Sequence, residues 1–99
     1  MSRFAYELSG RSAALVVDLG AVAAGWRIGD RTAEVGEVLT LAPRVEVESL
    51  LRRAIAEIRA QAAADDRSGE QLRLLAAEVW RDYRRAADNV GAQARLFGP

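Results

Sequence analysis

The first part of the chain, residues 3–41, shows the two-residue periodicity of β-strands. The first stripe has an apolar residue at every second position: Phe4, Tyr6 and Leu8. Such alternation is expected of a strand that buries one face. Residues 13–19 are apolar on both sides except for Asp18, which indicates a central strand.

Two glycine-containing turns divide the remainder of this region. Gly20 indicates a bend, after which a second alternating stripe follows: Val22, Ala24, Trp26 and Ile28. Gly29 and Asp30 form a two-residue hairpin signal that leads into a last strand, expected within residues 31–41. We therefore predict an antiparallel meander of three or four strands over residues 3–41.

Beyond Pro43 the periodicity changes to that of helices. Apolar residues recur at steps of three and four from Val47 to Ile58, which predicts an amphipathic helix over about residues 45–63. The start of this helix is open, because residues 45–48 alternate and could equally end a strand. The helix has oppositely charged pairs four residues apart, which stabilise a helix by a few tenths of a kcal/mol each: Glu48–Arg52 and Arg53–Glu57.

A second, longer helix is predicted from Ser68, which opens a capping-box pattern, to about Asn89. Its apolar residues have heptad spacing: Leu72, Ala76, Val79, Tyr83, Ala86 and Val90. Because the connection to the preceding helix is short, the two helices should form a hairpin over residues 45–91. Gly91 is the predicted C-cap, and residues 92–99 are a predicted tail.

Length and composition agree with one domain over residues 1–99. With 99 residues, 51% of them hydrophobic and 28% charged, the chain suits a single globular core. The predicted fold class is α+β, with the antiparallel meander followed by a two-helix hairpin packed on one face of the sheet.

The residue types that the chain lacks exclude most catalytic chemistry. It has no histidine, cysteine or lysine, so imidazole bases, thiolate nucleophiles and Schiff-base amines are all missing. Asp18, inside an apolar run, is the best remaining candidate for a carboxylate-based enzyme. The favoured interpretation is that Asp18 ends a strand and faces solvent or accepts backbone N–H groups. We predict that the chain is not an enzyme and has no catalytic residue, cofactor or metal site.

Arginines in the last helix provide a nucleic-acid alternative. Arg81, Arg84 and Arg85 surround Tyr83, and arginine with an aromatic residue can contact phosphates and stack on bases. However, 14 arginines balance 14 acidic residues over the whole chain, and Asp82 lies within the cluster. A charge-balanced chain lacks the basic excess typical of phosphate-dependent binding, so this function stays an alternative.

Binding to protein is the function that remains best supported by the sequence. The candidate interface anchors are large apolar residues, each of which could instead be buried: Trp26, Leu75, Trp80, Tyr83 and Phe97. We predict a small interaction module of the adaptor, assembly-factor or inhibitor type with an unidentified protein partner. We also predict that it forms a homodimer, either through the long second helix or through a free sheet edge.

The location of the chain is predicted from its apolar runs. Glu7 interrupts the N-terminal region before an apolar segment of signal-peptide length can form. The longest apolar runs, residues 13–17 and 21–26, are much shorter than the roughly 20 residues of a membrane span. A cytoplasmic location without membrane association is therefore expected.

Overall fold

The computed structural model describes residues 3–8, 10 and 12–97, with side chains described as far as residue 90. Four strands form an antiparallel sheet in sequence order, β1-β2-β3-β4. Their bounds are β1 Arg3–Glu7, β2 Ala13–Asp18, β3 Ala23–Ile28 and β4 Arg31–Ala33. Three helices follow: α1 Val35–Val38, α2 Arg44–Ala64 and α3 Gly69–Phe97. The predicted α+β fold, a meander followed by a pair of long helices, is confirmed.

The helical hairpin begins where the periodicity predicted. The observed α2 differs from the predicted helix by one residue at each end, and residues 45–48 are helical. In contrast, α3 continues through Gly91 to Phe97, so the predicted C-cap and most of the predicted tail are wrong. A single glycine costs a helix only about 1 kcal/mol relative to alanine, and it need not end one.

The last strand is much shorter than predicted, because a helical turn replaces its second half. β4 ends at Ala33, and Glu34 begins a capping box in which its backbone N–H donates to Glu37 Oε2 at 2.9 Å. The apolar residues that follow are buried at helical rather than strand spacing: Val35, Val38 and Ala42. The prediction that the last strand could extend to residue 41 was therefore wrong, since burial in the core follows a three- to four-residue period from Val35 onward.

The turn between β2 and β3 contains a strained residue. Val22 has φ +52°, a left-handed conformation that is unfavourable for a β-branched side chain. The turn is held by two hydrogen bonds, from the Val22 N–H to the Leu19 carbonyl at 3.3 Å and from the Ala21 N–H to Asp18 Oδ1 at 3.1 Å. β3 consequently begins at Ala23. The alternating stripe had predicted Val22 as part of this strand, which is wrong.

The strand register separates the sheet into a buried and an exposed face. Leu15 and Trp26 are paired across β2 and β3 on the buried face, where they join the core formed with both long helices. The opposite face carries mainly small side chains, such as the paired Val16 and Gly25. The helical hairpin thus covers one face of the sheet and leaves the other face open.

In the part of the chain that the structure describes, no helix combines the length and apolar character that crossing a membrane requires.

Candidate interaction surfaces

A cleft of about 660 Å³ lies between the β3–β4 side of the sheet, α1 and the C-terminal half of α3. Leu15, Trp26 and Val79 are among its apolar lining residues, while Asp82 and Arg85 contribute opposite charges. The structure therefore brings together Trp26 and Arg85, which the sequence had assigned to two different functions. The mixed charge does not favour a phosphate over other ligands, because the carboxylate of Asp82 offsets the arginine.

Most of the predicted interface anchors lie in the core. Trp26 and Leu75 are each only 8% exposed, and Tyr83 is completely buried. Trp80 is half-buried, and the side chain of Phe97 lies outside the described residues. The low exposure of Trp26, Leu75 and Tyr83 therefore does not support a role for them as anchors for a partner.

Tyr83 instead joins the two long helices through a polar network. Its hydroxyl donates to Glu48 Oε2 at 2.8 Å and accepts from Arg44 Nε at 3.2 Å. The other oxygen of Glu48 accepts from Arg52 Nη2 at 2.7 Å, which confirms the predicted pair four residues apart. These hydrogen bonds, from Arg52 first and then Tyr83, lower the pKa of Glu48, while burial raises the pKa of Tyr83.

Sequence reasoning missed this network because its members lie 35 and 39 residues apart along the chain. Only the Glu48–Arg52 pair had a local signal. In the second predicted pair, Arg53–Glu57, the arginine makes a different contact. Its guanidinium lies 5.5 Å from the centre of the Tyr6 ring, over strand β1. The network connects α2 with α3 and therefore has a structural role.

The three arginines of the nucleic-acid alternative are exposed on α3, but they do not surround an accessible aromatic residue. Tyr83 is two residues from Arg81, about 200° around the helix, and points into the core. Acidic residues are also exposed among the arginines in the same stretch of helix: Glu78, Asp82 and Asp88. Three acids thus offset three arginines, and the surface is charge-balanced rather than basic.

Asp18 has the environment expected of a turn residue. Its carboxylate is half-buried at the end of β2 and accepts the Ala21 N–H described above. It does not line the cleft between the sheet, α1 and α3. Within residues 3–8, 10 and 12–90, no group of three or more histidine, cysteine, aspartate or glutamate side chains is placed to hold a metal ion.

The β1 strand forms an open edge of the sheet. Its described ladder is with β2 alone. The Leu8 N–H donates to the Ala13 carbonyl at 3.0 Å, so the backbone groups of every second residue before it, Tyr6 and Phe4, also point toward β2. The intervening residues direct their backbone N–H and C=O groups away from the sheet: Arg3, Ala5 and Glu7.

Large apolar side chains that are exposed lie apart from one another along the chain: Leu41, Val45, Leu74 and Val90. Val45, at the start of α2, is 74% exposed, and Leu74, in α3, is 62% exposed. Single exposed apolar residues are common on soluble proteins and do not by themselves mark an interface. The open β1 edge is therefore the more informative surface.

Comparisons with known proteins do not assign the chain to a family. No protein-family model matches it, and no curated protein or solved structure is significantly similar to it. Any functional conclusion therefore depends on the residues and geometry of this chain.

Proposed function

We propose that this chain is a small, non-enzymatic protein–protein interaction module that associates with itself. The observation that carries this proposal is the open edge of β1, where Arg3, Ala5 and Glu7 direct backbone groups away from the sheet and have no strand partner among the described residues. Exposed strand edges are sites at which another strand adds to a sheet, and many proteins block them with proline, lysine or a bulge. β1, with the sequence RFAYE, has no proline, and its register with β2 is continuous without a bulge.

The composition of the chain supports a binding function over catalysis. Without histidine, cysteine or lysine, the chain would have to perform chemistry with carboxylates, hydroxyls and arginines. The best carboxylate candidate, Asp18, holds a turn through its hydrogen bond to Ala21. This engagement supports the structural role for Asp18 that we favoured from the sequence.

Sedimentation equilibrium or light scattering after size exclusion tests the proposal. Because a small interface gives weak association, the measurement should extend from about 1 μM to about 500 μM protein. We expect a concentration-dependent shift from monomer to dimer. A mass that stays at the monomer value over the whole range would contradict the proposal.

Nucleic-acid association through Arg81, Arg84 and Arg85 is a weaker alternative, because the neighbouring acids balance these charges. It predicts salt-sensitive retention on heparin and a mobility shift with RNA. Both should be lost in Arg84→Glu with Arg85→Glu and kept in the control Arg59→Glu with Arg67→Glu, since both control positions are exposed and lie elsewhere. Retention that is absent, or lost equally in both variants, would exclude this alternative.

A further inference from the structure

We propose that the open β1 edge binds the β1 strand of a second copy of this chain, antiparallel, about a twofold axis at Ala5. This inference rests on the proposed self-association, because it names the surface and the register that would produce it. The two sheets would join into one continuous sheet of eight strands, four from each copy. Such an interface is isologous, so the same five residues must complement themselves.

The sequence of β1 is self-complementary when it is reversed. With Ala5 opposite the partner subunit's Ala5, Arg3 lies opposite the partner subunit's Glu7, and Glu7 lies opposite the partner subunit's Arg3. Opposite charges placed directly across two strands stabilise the pairing, whereas like charges destabilise it. The twofold symmetry repeats this favourable contact, so both charged residues of each copy are matched.

The N–H and C=O groups of β1 have the orientation that this register requires. Arg3, Ala5 and Glu7 carry the outward-facing N–H and C=O groups, and the register places these three residues opposite one another. Each such antiparallel pair exchanges two hydrogen bonds, so the three pairs make roughly six. All outward-facing backbone groups of the strand would then have partners.

Other registers satisfy fewer groups. A shift by one residue places outward-facing backbone groups opposite residues whose own groups point toward β2, so the ladder cannot form. A shift by two residues keeps the backbone polarity but leaves one outward-facing residue of each copy unpaired. It also places Arg3 or Glu7 opposite Ala5, which removes the charge pairing. The register centred on Ala5 is therefore the favoured one.

The charges of neighbouring strands support the same register. On the exposed face of the sheet, Arg3 is paired with Asp18 of β2, and Glu7 is in one row with Ala14 and Arg27. In the proposed dimer a row of side chains would run from one sheet into the other with alternating sign: Asp18, Arg3, the partner subunit's Glu7, the partner subunit's Ala14 and the partner subunit's Arg27. Arg3 would then be flanked by two acids, Asp18 and the partner subunit's Glu7.

The other face of β1 would bring aromatic rings together. Phe4 and Tyr6 are half-buried, with ring centres 5.3 Å apart in an edge-to-face arrangement. In the proposed register Phe4 lies opposite the partner subunit's Tyr6, in the closer type of antiparallel pair. Aromatic cross-strand pairs stabilise a sheet, so both faces of the joined strands favour the same partner.

Charge reversal tests the register directly. Arg3→Glu alone and Glu7→Arg alone each place like charges at both contacts, so each should raise the dimer dissociation constant about tenfold or more. An equimolar mixture of these two variants should form a heterodimer, because both contacts are then attractive. The double variant Arg3→Glu with Glu7→Arg should dimerise like the wild type. Arg84→Glu, the same charge change on exposed α3, is the matched control and should leave dimerisation unchanged.

Dimerisation that is restored in the mixture and in the double variant can only come from contacts between copies. Four residues along a strand span about 13 Å, so residues 3 and 7 of one chain do not reach each other.

Ala5→Pro provides a second, independent test, since the Ala5 N–H points away from β2 and is not needed for folding of the monomer. It should retain the circular dichroism spectrum of the wild type and lose dimerisation.

The outcomes separate this inference from the function on which it rests. A wild-type chain that is monomeric throughout the concentration range contradicts both. A wild-type dimer that is unchanged by Ala5→Pro and by Glu7→Arg contradicts the β1 contact and leaves self-association standing. Assemblies larger than a dimer also contradict the twofold arrangement. If Arg3→Glu does not fold, because it places an acid beside Asp18, the other two variants still decide the question.

Discussion

The hydroxyl of Tyr83 donates a 2.8 Å hydrogen bond to the carboxylate of Glu48, and this contact joins α3 to α2 across 35 residues of chain. Tyr83 is completely buried, so its hydroxyl requires a partner inside the protein. Glu48 in turn is held by Arg52 at 2.7 Å. The contact therefore adds a polar link between the two long helices to their apolar packing.

Tyr83→Phe should lower the free energy of unfolding by about 1 kcal/mol, since it removes the hydroxyl but keeps the ring in place. Denaturant unfolding followed by circular dichroism measures this change. Tyr6→Phe is the matched control, because no hydrogen bond to the Tyr6 hydroxyl is found among the described residues, and it should be nearly neutral. Equal effects of the two substitutions would contradict a specific role for the Tyr83 hydroxyl.

Glu48 should make the stability of the protein depend on acidic pH. Hydrogen bonds from Arg52 and then Tyr83 lower its pKa in the folded state below the ordinary value of 4.5. The stabilisation is therefore complete above pH 4.5 and is lost as the pH falls through the lower, folded-state pKa. Glu48→Gln should reduce the slope of stability against pH in this acidic range. Denaturant unfolding at a series of acidic pH values measures this slope.

Two glycines should respond to alanine in opposite directions. A Cβ at Gly69 would lie 2.7 Å from the carbonyl oxygen of Ala62, where α3 begins close to the end of α2. Gly69→Ala should therefore destabilise the protein by about 1–3 kcal/mol, because the helices must move apart. At Gly36 nothing lies within 4 Å, so Gly36→Ala should stabilise α1 by about 0.4–1 kcal/mol. Thermal unfolding of both variants checks the signs.

The hairpin core should be much more sensitive to truncation than its exposed apolar surface. Ile58 is completely buried, so Ile58→Ala should cost about 2–5 kcal/mol in unfolding free energy. Val45 is 74% exposed, and Val45→Ala should change stability by less than about 0.5 kcal/mol. Guanidinium titration of both variants measures the difference. A large effect at Val45 under dimer-forming concentrations would instead place this residue in an interface.

The candidate surfaces could be predicted only in part. A free sheet edge was among the expected routes of self-association, but the register of β1 against β2 was needed to identify which backbone groups point outward. The anchors chosen for their size, such as Trp26 and Tyr83, are buried, since a domain of this length uses its large side chains for its own core. Nothing in the sequence predicted that Trp26 and Arg85 line the same cleft.

The sequence by itself determined that a meander of strands precedes two long helices, because a two-residue period and a three- and four-residue period reflect which face of each element is buried. It also determined that the chain has no imidazole, thiol or amine side chain. Only the tertiary structure decided that β4 stops at Ala33 and that Tyr83 faces Glu48. These features depend on contacts between residues distant along the chain, and local periodicity contains no information about such contacts.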